Sequence, residues 1–508
     1  MSSIEKMKQD LITEIDKRLE DGIIEKSNAD LLKKLICNAE SEDEAISIAA
    51  LGTTYKRTGF HFDKRLEKTE DTIRYFKKNE ELSFVTNNDG ITHKLIIGDN
   101  YPALLNLLIQ HRNKIDTIYI DPPYGKDSMG EFANTNYDNA ITRDNLLSML
   151  YPRLTIARQL LSENGVIFCS IDDKNQAYVK GLFDEIFGEA NSVGEYVWHK
   201  KLTGGYDNKN INIQHEYILV YARNYSTDLL NDEIPTASKY TLEDEDGRKY
   251  KWDSLWNVGG LTYSASLDYP IKAPDGTEIW PIGERGVAFW LWSKEKVAQE
   301  RDKLNFKKNK DGQWRVYKKV YASDTIVSGS MLDASVVKGN TNASAEIKQI
   351  FGTKIFDYAK PTELIRYLID RGSRENSIVL DFFAGSGTTG QAVLELNKQG
   401  GNRRFILITN NEQSPATPNG IAHDVTTKRL KRVMDGKCYD GTNGFKWLDK
   451  NQPLGDNLDV YDIATISPYD EKPFEVIDET LYGKEKLDVN EKVKWVCENF
   501  EHTQKILV

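Results

Sequence analysis

An acid, two prolines and an aromatic residue stand together where a buried strand is expected to end. The apolar run at 117–120 predicts the strand, and Asp121, Pro122, Pro123 and Tyr124 follow it directly. Because proline has no N–H for a ladder and fixes its own φ, the pair holds the first proline's carbonyl in place. That carbonyl and the carboxylate can accept hydrogen bonds from an amino group that becomes positive as it reacts, while the ring can stack on a base. The pattern suits chemistry at a weakly nucleophilic amino group, such as that of a nucleic-acid base.

A second chemical motif follows the strand predicted at 377–381. Gly385, Gly387 and Gly390 satisfy the spacing G-x-G-x-x-G between a strand and a helix. Glycines let a ligand approach the backbone, and the next helix offers free N–H groups at its N-terminus. Glu412 ends the following strand, where an acid can bind the two hydroxyls of a ribose. The spacing predicts a nucleoside cofactor, and by itself leaves NAD, FAD and other adenosine ligands open.

Together the two motifs resemble those of the amino-group DNA methyltransferases of the N6-adenine type. Asp121-Pro-Pro-Tyr124 matches the catalytic motif of that family, and Asp381-Phe-Phe-Ala-Gly-Ser-Gly387 matches its cofactor loop. The catalytic motif comes first, as in the permuted β group, which includes the modification subunits of type III restriction systems. The resemblance implies S-adenosyl-L-methionine as cofactor and N6 of a flipped-out adenine as the acceptor. Aspartate rather than serine at position 121 favours adenine over cytosine N4.

The same resemblance assigns further residues to the cofactor. Lys360 opens a Lys-Pro-Thr-Glu-Leu segment that matches the one closing over the methionine part of the cofactor. Asp99 matches the acid that meets the adenine ring, and Glu412 matches the ribose-binding acid. The complete expected set is Asp99, Lys360, Asp381, Phe383, Ala384, Gly385, Ser386, Gly387, Thr388 and Glu412. The chemistry requires no metal, and no metal site is expected.

Short apolar strands alternating with helices must position these motifs. The alternation runs from about residue 92 to 222, stops, and resumes from 360 to 412. Strands that alternate with helices form mainly parallel sheets. The prediction is an α/β fold, a Rossmann-like methyltransferase sheet that is circularly permuted and carries an inserted target-recognition domain.

The composition shifts suggest five regions. A helical N-terminal extension is predicted at 1–75, the catalytic half of the methyltransferase domain at 76–199, the target-recognition domain at 200–355, the cofactor-binding half at 356–435 and an acidic C-terminal region at 436–508. The two terminal regions could mediate dimerisation, bind a nuclease subunit or cap the core.

The overall composition is that of a globular protein of a reducing compartment. Of the 508 residues 39% are hydrophobic and 29% charged, and the four cysteines form no C-x-x-C pair, which fits a cytoplasmic protein. No apolar run reaches the roughly 20 residues needed to span a bilayer, so no membrane partner is expected. The net charge of -11 argues against a nucleic-acid partner only weakly, since a local basic face matters more.

The basic run at 294–319 is the expected contact with DNA phosphates. It interleaves aromatic residues with cations, of which Lys307, Lys308, Lys310 and Arg315 are the candidates. Such a run can also be an ordinary solvated face. The expected partner is double-stranded DNA, with a homodimer and a restriction subunit carrying nuclease and ATPase activity as further partners.

Other functions remain open at this stage. A methyltransferase fold without activity could serve as the DNA-binding module of a restriction or defence complex. The same chemistry could act on an amino group of RNA or of a protein glutamine. A dehydrogenase could use the glycine loop, but it has no need of the acidic motif at Asp121.

Overall fold

The computed structural model describes most of the chain in twelve segments. These are residues 3–20, 26–51, 72–123, 142–200, 211–232, 240–256, 262–281, 288–322, 327–334, 336–356, 359–467 and 472–500. The chain divides into two compact units, a main unit of Met1–Leu230 with Ser330–Val508 and an inserted unit of Asn231–Gly329. The predicted catalytic residue Tyr124 lies outside the described residues.

The chain begins with three helices that share a small core of their own. They are α1 (Ser3–Glu20), α2 (Lys26–Asn38) and α3 (Glu42–Leu51). Their buried residues are mostly small or aliphatic, namely Ile15, Ala29, Ile36, Ala39, Ala45 and Ala49. Apolar residues at helical spacing make this face, as the sequence pattern predicts.

A ten-stranded sheet forms the centre of the main unit. Its strands, in chain order, are β1 (Ile73–Lys78), β2 (Thr92–Ile97), β3 (Ile115–Ile120), β4 (Leu161–Ile171), β5 (Ser192–His199), β6 (His215–Ala222), β13 (Met331–Leu332), β14 (Ile378–Asp381), β15 (Arg404–Thr409) and β16 (Asn457–Ile466). In space the order is β1-β16-β2-β15-β14-β3-β4-β6-β5-β13. Strands from β16 to β4 are parallel, whereas β6 runs antiparallel to both β4 and β5.

Helices cover both faces of this sheet. They are α4 (Asn100–His111), α5 (Thr142–Leu160), α6 (Gln176–Phe187), α8 (Asn340–Phe351), α9 (Thr362–Gly372), α10 (Thr388–Gln399), α11 (Thr427–Asp435), α12 (Pro473–Val476) and α13 (Val489–Phe500). Neighbouring residues of one strand enter different cores: Ile118 packs with α4, α5 and α6, whereas Tyr119 packs with α9 and α10. This three-layer arrangement around a large central sheet confirms the predicted α/β fold.

The strand order shows how the permuted sheet is assembled. The cofactor half, β14 and β15, enters the middle of the sheet although it comes late in the chain. Strand β14 lies between β15 and β3. From the carboxyl end of β14 the chain continues to β15 on one side, whereas from the carboxyl end of β3 it continues to β4 on the other side. Ligands of open α/β sheets bind at such a reversal of strand order.

The inserted unit has antiparallel strands and a separate core. Its elements are β7 (Leu242–Glu243), β8 (Lys249–Ser254), β9 (Ile271–Lys272), β10 (Glu278–Ile279), α7 (Lys294–Gln299), β11 (Leu304–Lys308) and β12 (Trp314–Tyr321). Four of the strands form a sheet in the order β11-β12-β8-β7. The unit is shorter than the predicted domain at 200–355, because β6, β13 and α8 all belong to the main unit.

The C-terminal region, predicted as an acidic region separate from the two methyltransferase halves, contributes a strand to the central sheet. Strand β16 is inserted between β1 and β2, antiparallel to the former and parallel to the latter. After it, the Tyr482 hydroxyl donates to Asn106 (2.7 Å) and accepts from Phe76 N–H (2.8 Å). The region therefore completes the sheet and caps its core.

Candidate active site

The two sequence motifs meet at one edge of the sheet. Strands β3 and β14 are parallel neighbours, with Thr117 opposite Val379 and Ile118 opposite Leu380. Parallel neighbours end at the same edge, so Asp121 follows β3 beside the end of β14. The two motifs, far apart in sequence, thus form a single site.

Asp121 is held by a lysine rather than by backbone groups. Its Oδ1 accepts a hydrogen bond from Lys360 Nζ at 2.6 Å, and no residue of the described segments donates to Oδ2. Burial raises the pKa of Asp121, the Lys360 ammonium opposes that rise, and the nearby Glu216 carboxylate adds to it. Among the described residues, therefore, one carboxylate oxygen has a donor and the other has none. Pro122 is buried and Pro123 half-buried directly behind it.

The lysine belongs to a larger group of buried charges. Lys360 Nζ also lies 3.3 Å from Glu216 Oε2, and Glu216 Oε1 lies 3.0 Å from Lys200 Nζ. Burial alone would raise the pKa of Glu216, but the two ammonium groups lower it below the ordinary value. Two cations and two carboxylates thus alternate at this edge, which is the condition under which buried charges are tolerated.

Asp381 anchors the glycine loop from below. Its carboxylate accepts hydrogen bonds from Phe383 N–H (2.9 Å) and from the Thr389 hydroxyl (2.5 Å), which joins the start and end of the loop. Burial raises the pKa of Asp381 to about 7, these hydrogen bonds oppose the rise, and the Asp121 carboxylate adds to it. The loop is further fixed by Ala384 N–H, which donates to Ile408 of β15 at 3.0 Å.

Glycine is required at different positions of the loop for different structural reasons. Gly385 and Gly387 have φ values of 47° and 79°, in the left-handed region where a side chain is strained. A Cβ on Gly390 would lie 2.8 Å from a methyl carbon of Leu430, so this glycine lets α10 pack closely. No described residue accepts a hydrogen bond from the N–H of Gly385 or Ser386. Such N–H groups at a helix N-terminus can donate to a bound ligand.

A buried arginine, which no motif predicted, locks the loop in place. The Arg429 guanidinium donates to Ser386 (3.1 Å) and Thr388 (2.7 Å), and lies 3.2 Å from Glu346 Oε2. It also donates to Gln391 at 3.0 Å and to the Thr362 hydroxyl at 3.1 Å. One side chain thus ties the loop to α8, α9 and α11. Beside it, a π-helical turn at Ala422–Thr426 precedes α11, and such turns often occur at functional sites.

Asp99 lies at the same edge, after β2, and caps α4. Its Oδ1 accepts from Tyr101 N–H (2.9 Å) and pairs with the fully buried Arg153 at 3.0 Å. Arg153 also donates to Asn100, whose amide in turn donates to the Phe382 carbonyl of the cofactor motif at 2.8 Å. Asp99 is therefore positioned by two neighbours and connected to the loop through Asn100.

Glu412 is exposed and lies three residues beyond β15. Its backbone carbonyl accepts from Ile421 N–H at 3.0 Å, while its carboxylate forms no hydrogen bond or ion pair with the described residues. The proposed contact with a ribose stays a prediction.

The residues brought together at this edge lie within a match to a known family. A family model described as DNA methylase matches residues 115–415, which contain both motifs. The chain belongs to this DNA methylase family. A second model, described as an uncharacterised conserved protein, matches residues 3–117.

Curated relatives support the same assignment. The EcoPI type III restriction-modification Mod subunit of Escherichia phage P1 is 30% identical, over 83% of this chain and 74% of its own length. The StyLTI type III Mod subunit of Salmonella typhimurium is 31% identical over 78% and 66%. The type II methyltransferase M.KpnI of Klebsiella pneumoniae is 33% identical over 70% and 91%. Membership in the family is thereby confirmed.

The solved structures that match are more distant. The TTHA0409 protein of Thermus thermophilus, in complex with S-adenosyl-L-methionine, matches 74% of this chain and all of its own, with 15% identity and a TM-score of 0.36. The cytosine-N4-specific PvuII DNA methyltransferase matches 70% and 95%, with 11% identity and a TM-score of 0.36.

The inserted unit of this DNA methylase carries the predicted basic residues, and its sheet separates them. Lys307 lies opposite Arg315, and both therefore project from one face of the β11–β12 pair. Lys308 projects from the other face, where it stacks on Trp314 (4.7 Å) and pairs with Asp275 at 3.6 Å. Lys310 is exposed at the turn between the strands.

The face that carries Lys307 and Arg315 is rich in half-buried rings. Strand alternation and register place Tyr250, Trp252, Tyr317, Lys319 and Tyr321 on it. The Lys319 ammonium lies 4.1 Å from the ring centre of Tyr250 and 5.1 Å from that of Tyr321. Val316, between these positions, points the other way into the core of the unit. We call this surface the aromatic face.

The described residues contain neither a candidate metal site nor a candidate membrane span. No group of three or more His, Cys, Asp or Glu side chains there is arranged to hold a metal ion. Within those same segments, no helix has the length and apolar character needed to cross a bilayer.

Proposed function

We propose that this DNA methylase transfers a methyl group from S-adenosyl-L-methionine to N6 of adenine in double-stranded DNA, at a specific sequence. The observation that carries the proposal is the meeting of Asp121 and the glycine loop at the ends of adjacent strands. A cofactor on the loop would lie beside a carboxylate of which one oxygen has no donor among the described residues.

The cofactor is proposed to bind at the loop from Asp381 to Thr388. Left-handed glycines, uncommitted N–H groups and a helix N-terminus fit a ligand of nucleoside type. Asp99 and Glu412 are available for its adenine and ribose. When bound, S-adenosyl-L-methionine supplies a methyl carbon whose bond to sulfur breaks as its bond to nitrogen forms, leaving S-adenosylhomocysteine.

The residues of the catalytic motif prepare the adenine amino group. Asp121 Oδ2 and the Pro122 carbonyl accept its two N–H bonds, so the nitrogen lone pair is freed from the ring as positive charge develops. Acceptors fixed in advance cost no reorganisation, and each is worth on the order of 100- to 1,000-fold in rate. After transfer the nitrogen releases one proton to solvent, which restores the neutral amine. Tyr124 is proposed to stack on the base.

The target adenine must first leave the duplex, which costs a few kcal/mol. We propose that the inserted unit supplies the DNA contacts that offset this cost and select the sequence. Its aromatic face carries the cations Lys307, Arg315 and Lys319, which suit phosphates, and ring hydroxyl and N–H donors, which suit phosphates and base edges. Lys308 and Lys310 would add to the surrounding potential.

The relatives suggest the biological setting. Mod subunits and type II methyltransferases are parts of restriction-modification systems by name, and we propose such a role in the cytoplasm for this chain. A restriction subunit and a second copy of the chain are the proposed protein partners. The N-terminal helices, with their separate core, are a candidate contact for either one.

The test is methyl transfer to plasmid DNA from a methylation-deficient host, using labelled S-adenosyl-L-methionine. Wild type and Asp121→Ala are compared, and the DNA is digested to nucleosides that are identified by mass. We expect N6-methyladenine with wild type alone. Wild-type protein that binds cofactor and DNA but transfers no methyl group would contradict the proposal, and would favour a silent binding module or a substrate in RNA or protein.

A further inference from the structure

Lys360 is shared between two carboxylates of different strands. Its ammonium lies 2.6 Å from Asp121 Oδ1 and 3.3 Å from Glu216 Oε2. The side chains of Lys360 and Glu216 are only 7% and 6% exposed, so their contact is largely shielded from water. Lys200 binds the other oxygen of Glu216 at 3.0 Å and brings the group to net neutrality.

The direction of β6 brings Glu216 to this position. A residue near the start of a parallel strand would lie at the far edge of the sheet. Since β6 runs antiparallel to β4, its second residue, Glu216, lies at the edge where β3 ends. Lys200 directly follows β5, which is antiparallel to β6, and so reaches the same edge. No local sequence motif marks either residue.

We propose that Glu216, held by Lys200, is a positioning residue that keeps the Lys360 ammonium on a single oxygen of Asp121. The inference rests on the proposed function, since it concerns the carboxylate that would receive the amino group. A lysine without a second acceptor can move between both oxygens of a carboxylate. Tied to Glu216, Lys360 orients Asp121 through Oδ1 and leaves Oδ2 free for the adenine amino group.

The same arrangement sets the charge of the site. Among the described residues, the groups that face Asp121 are Lys360 before α9, Glu216 of β6, Asp381 of β14 and the buried neutral side chains Tyr119 and Cys169. Lys360 favours the ionised carboxylate, whereas Glu216 disfavours it. Removing one or the other must therefore displace the titration of Asp121 in opposite directions.

The experiment compares Glu216→Gln with Lys360→Gln in the full-length protein. Rates of methyl transfer to unmodified plasmid DNA are measured across pH, together with cofactor affinity. In Glu216→Gln we expect kcat to fall about 10- to 100-fold, because a catalytic group is misplaced. The acidic limb of its pH–rate profile should move to lower pH. In Lys360→Gln the acidic limb should move to higher pH.

Glu479→Gln is the matched control. Glu479 is equally buried and pairs with Lys492 at 2.7 Å, but it lies in the C-terminal region without contact to Asp121. We expect it to lower thermal stability as Glu216→Gln does, while the pH profile stays that of wild type. A Glu216→Gln enzyme with unchanged kcat and unchanged acidic limb, or one altered only in stability, would overturn the inference.

A direct titration separates this inference from the proposed function. The carboxyl band of Asp121 can be followed by infrared spectroscopy across pH and assigned by its loss in Asp121→Asn. This measurement needs no turnover. If wild type methylates no DNA, the proposed function fails. The inference is tested separately: Glu216→Gln should lower the pH at the midpoint of this band and Lys360→Gln should raise it, and any other result would contradict it.

Discussion

The catalytic edge of the main unit and the aromatic face of the inserted unit both combine charges with a sheet, but in opposite ways. At the catalytic edge the charges are buried and neutralise one another, as Lys360 does with Asp121 and Glu216. On the aromatic face the cations lie over rings, as Lys319 does over Tyr250.

The difference reflects how each region is assembled. The catalytic edge joins residues of β6 and β14 with the segments that follow β3 and precede α9, in a mixed sheet that helices cover on both faces. The aromatic face comes from neighbouring antiparallel strands, and its cations lie over rings rather than between buried carboxylates. We infer that substitutions at the catalytic edge have large effects, because they alter geometry and leave buried charges unpaired. Substitutions on the aromatic face should have small effects, because they act through screened electrostatics.

The sharpest contrast is between two arginines, one in each region. Arg429→Met removes the cation paired with Glu346 and the donor that serves four polar groups, so we expect a loss of about 3–5 kcal/mol in the free energy of unfolding. Arg315→Met removes a cation that stacks on Trp256, and should cost about 1 kcal/mol at most. Equilibrium denaturation of both variants tests this. Equal losses of unfolding free energy in the two variants would contradict the inferred difference between the two regions.

The pH dependence of stability should show the buried acid of the cofactor loop. Because the pKa of Asp381 is raised to about 7, the folded chain binds its proton more tightly than the unfolded chain does. Stability from this group therefore falls as pH rises from about 4 to 7, by at most about 4 kcal/mol.

Asp381→Asn removes that titration, so the thermal stability of the variant should depend less on pH in this window. A weaker decrease of stability with rising pH should remain, because the pKa of Asp121 is also raised. Melting temperatures of both proteins at several pH values provide the measurement. Parallel curves would show that Asp381 is not protonated in the folded protein.

Substitution of a loop glycine should weaken cofactor binding with a smaller effect on folding. At Gly387, φ is 79° and a Cβ would lie 3.2 Å from a methyl carbon of Thr426. For Gly387→Ala we expect about 10-fold weaker binding of S-adenosyl-L-methionine, from about 1–2 kcal/mol of backbone strain. Calorimetric titration measures the affinity. Gly276→Ala, with a positive φ and open space in the inserted unit, is the control and should bind cofactor like wild type.

The smallest expected effect tells the two faces of the inserted sheet apart. Lys307→Ala removes a cation of the aromatic face and should lower the slope of log Kd for DNA against log salt by about 1. Lys308→Ala removes a cation that already pairs with Asp275 on the other face, and should leave the slope unchanged. Binding assays at several salt concentrations test this. The reverse result would place the DNA contact on the opposite face.

Much of the fold could be predicted because its signals are local. The apolar runs before Asp121 and at Ile378–Asp381, with the helices between strands, appear where the periodicity indicates them. The glycines of the loop were found for the same reason, since left-handed backbone restricts the residue type. Strand β16 was missed, because a strand within an acidic tail has no helix pattern around it to mark it as part of the sheet.

By itself the sequence determined the chemical groups, the loop and the permuted order of the two motifs, because these depend on residues close together in the chain. The tertiary structure alone decided which distant groups meet. It placed Lys360 on Asp121, brought Glu216 to the catalytic edge through an antiparallel strand, and put Lys307 and Lys308 on opposite faces of one sheet. Strand direction and register set these contacts, and neither can be read from the composition of a short segment.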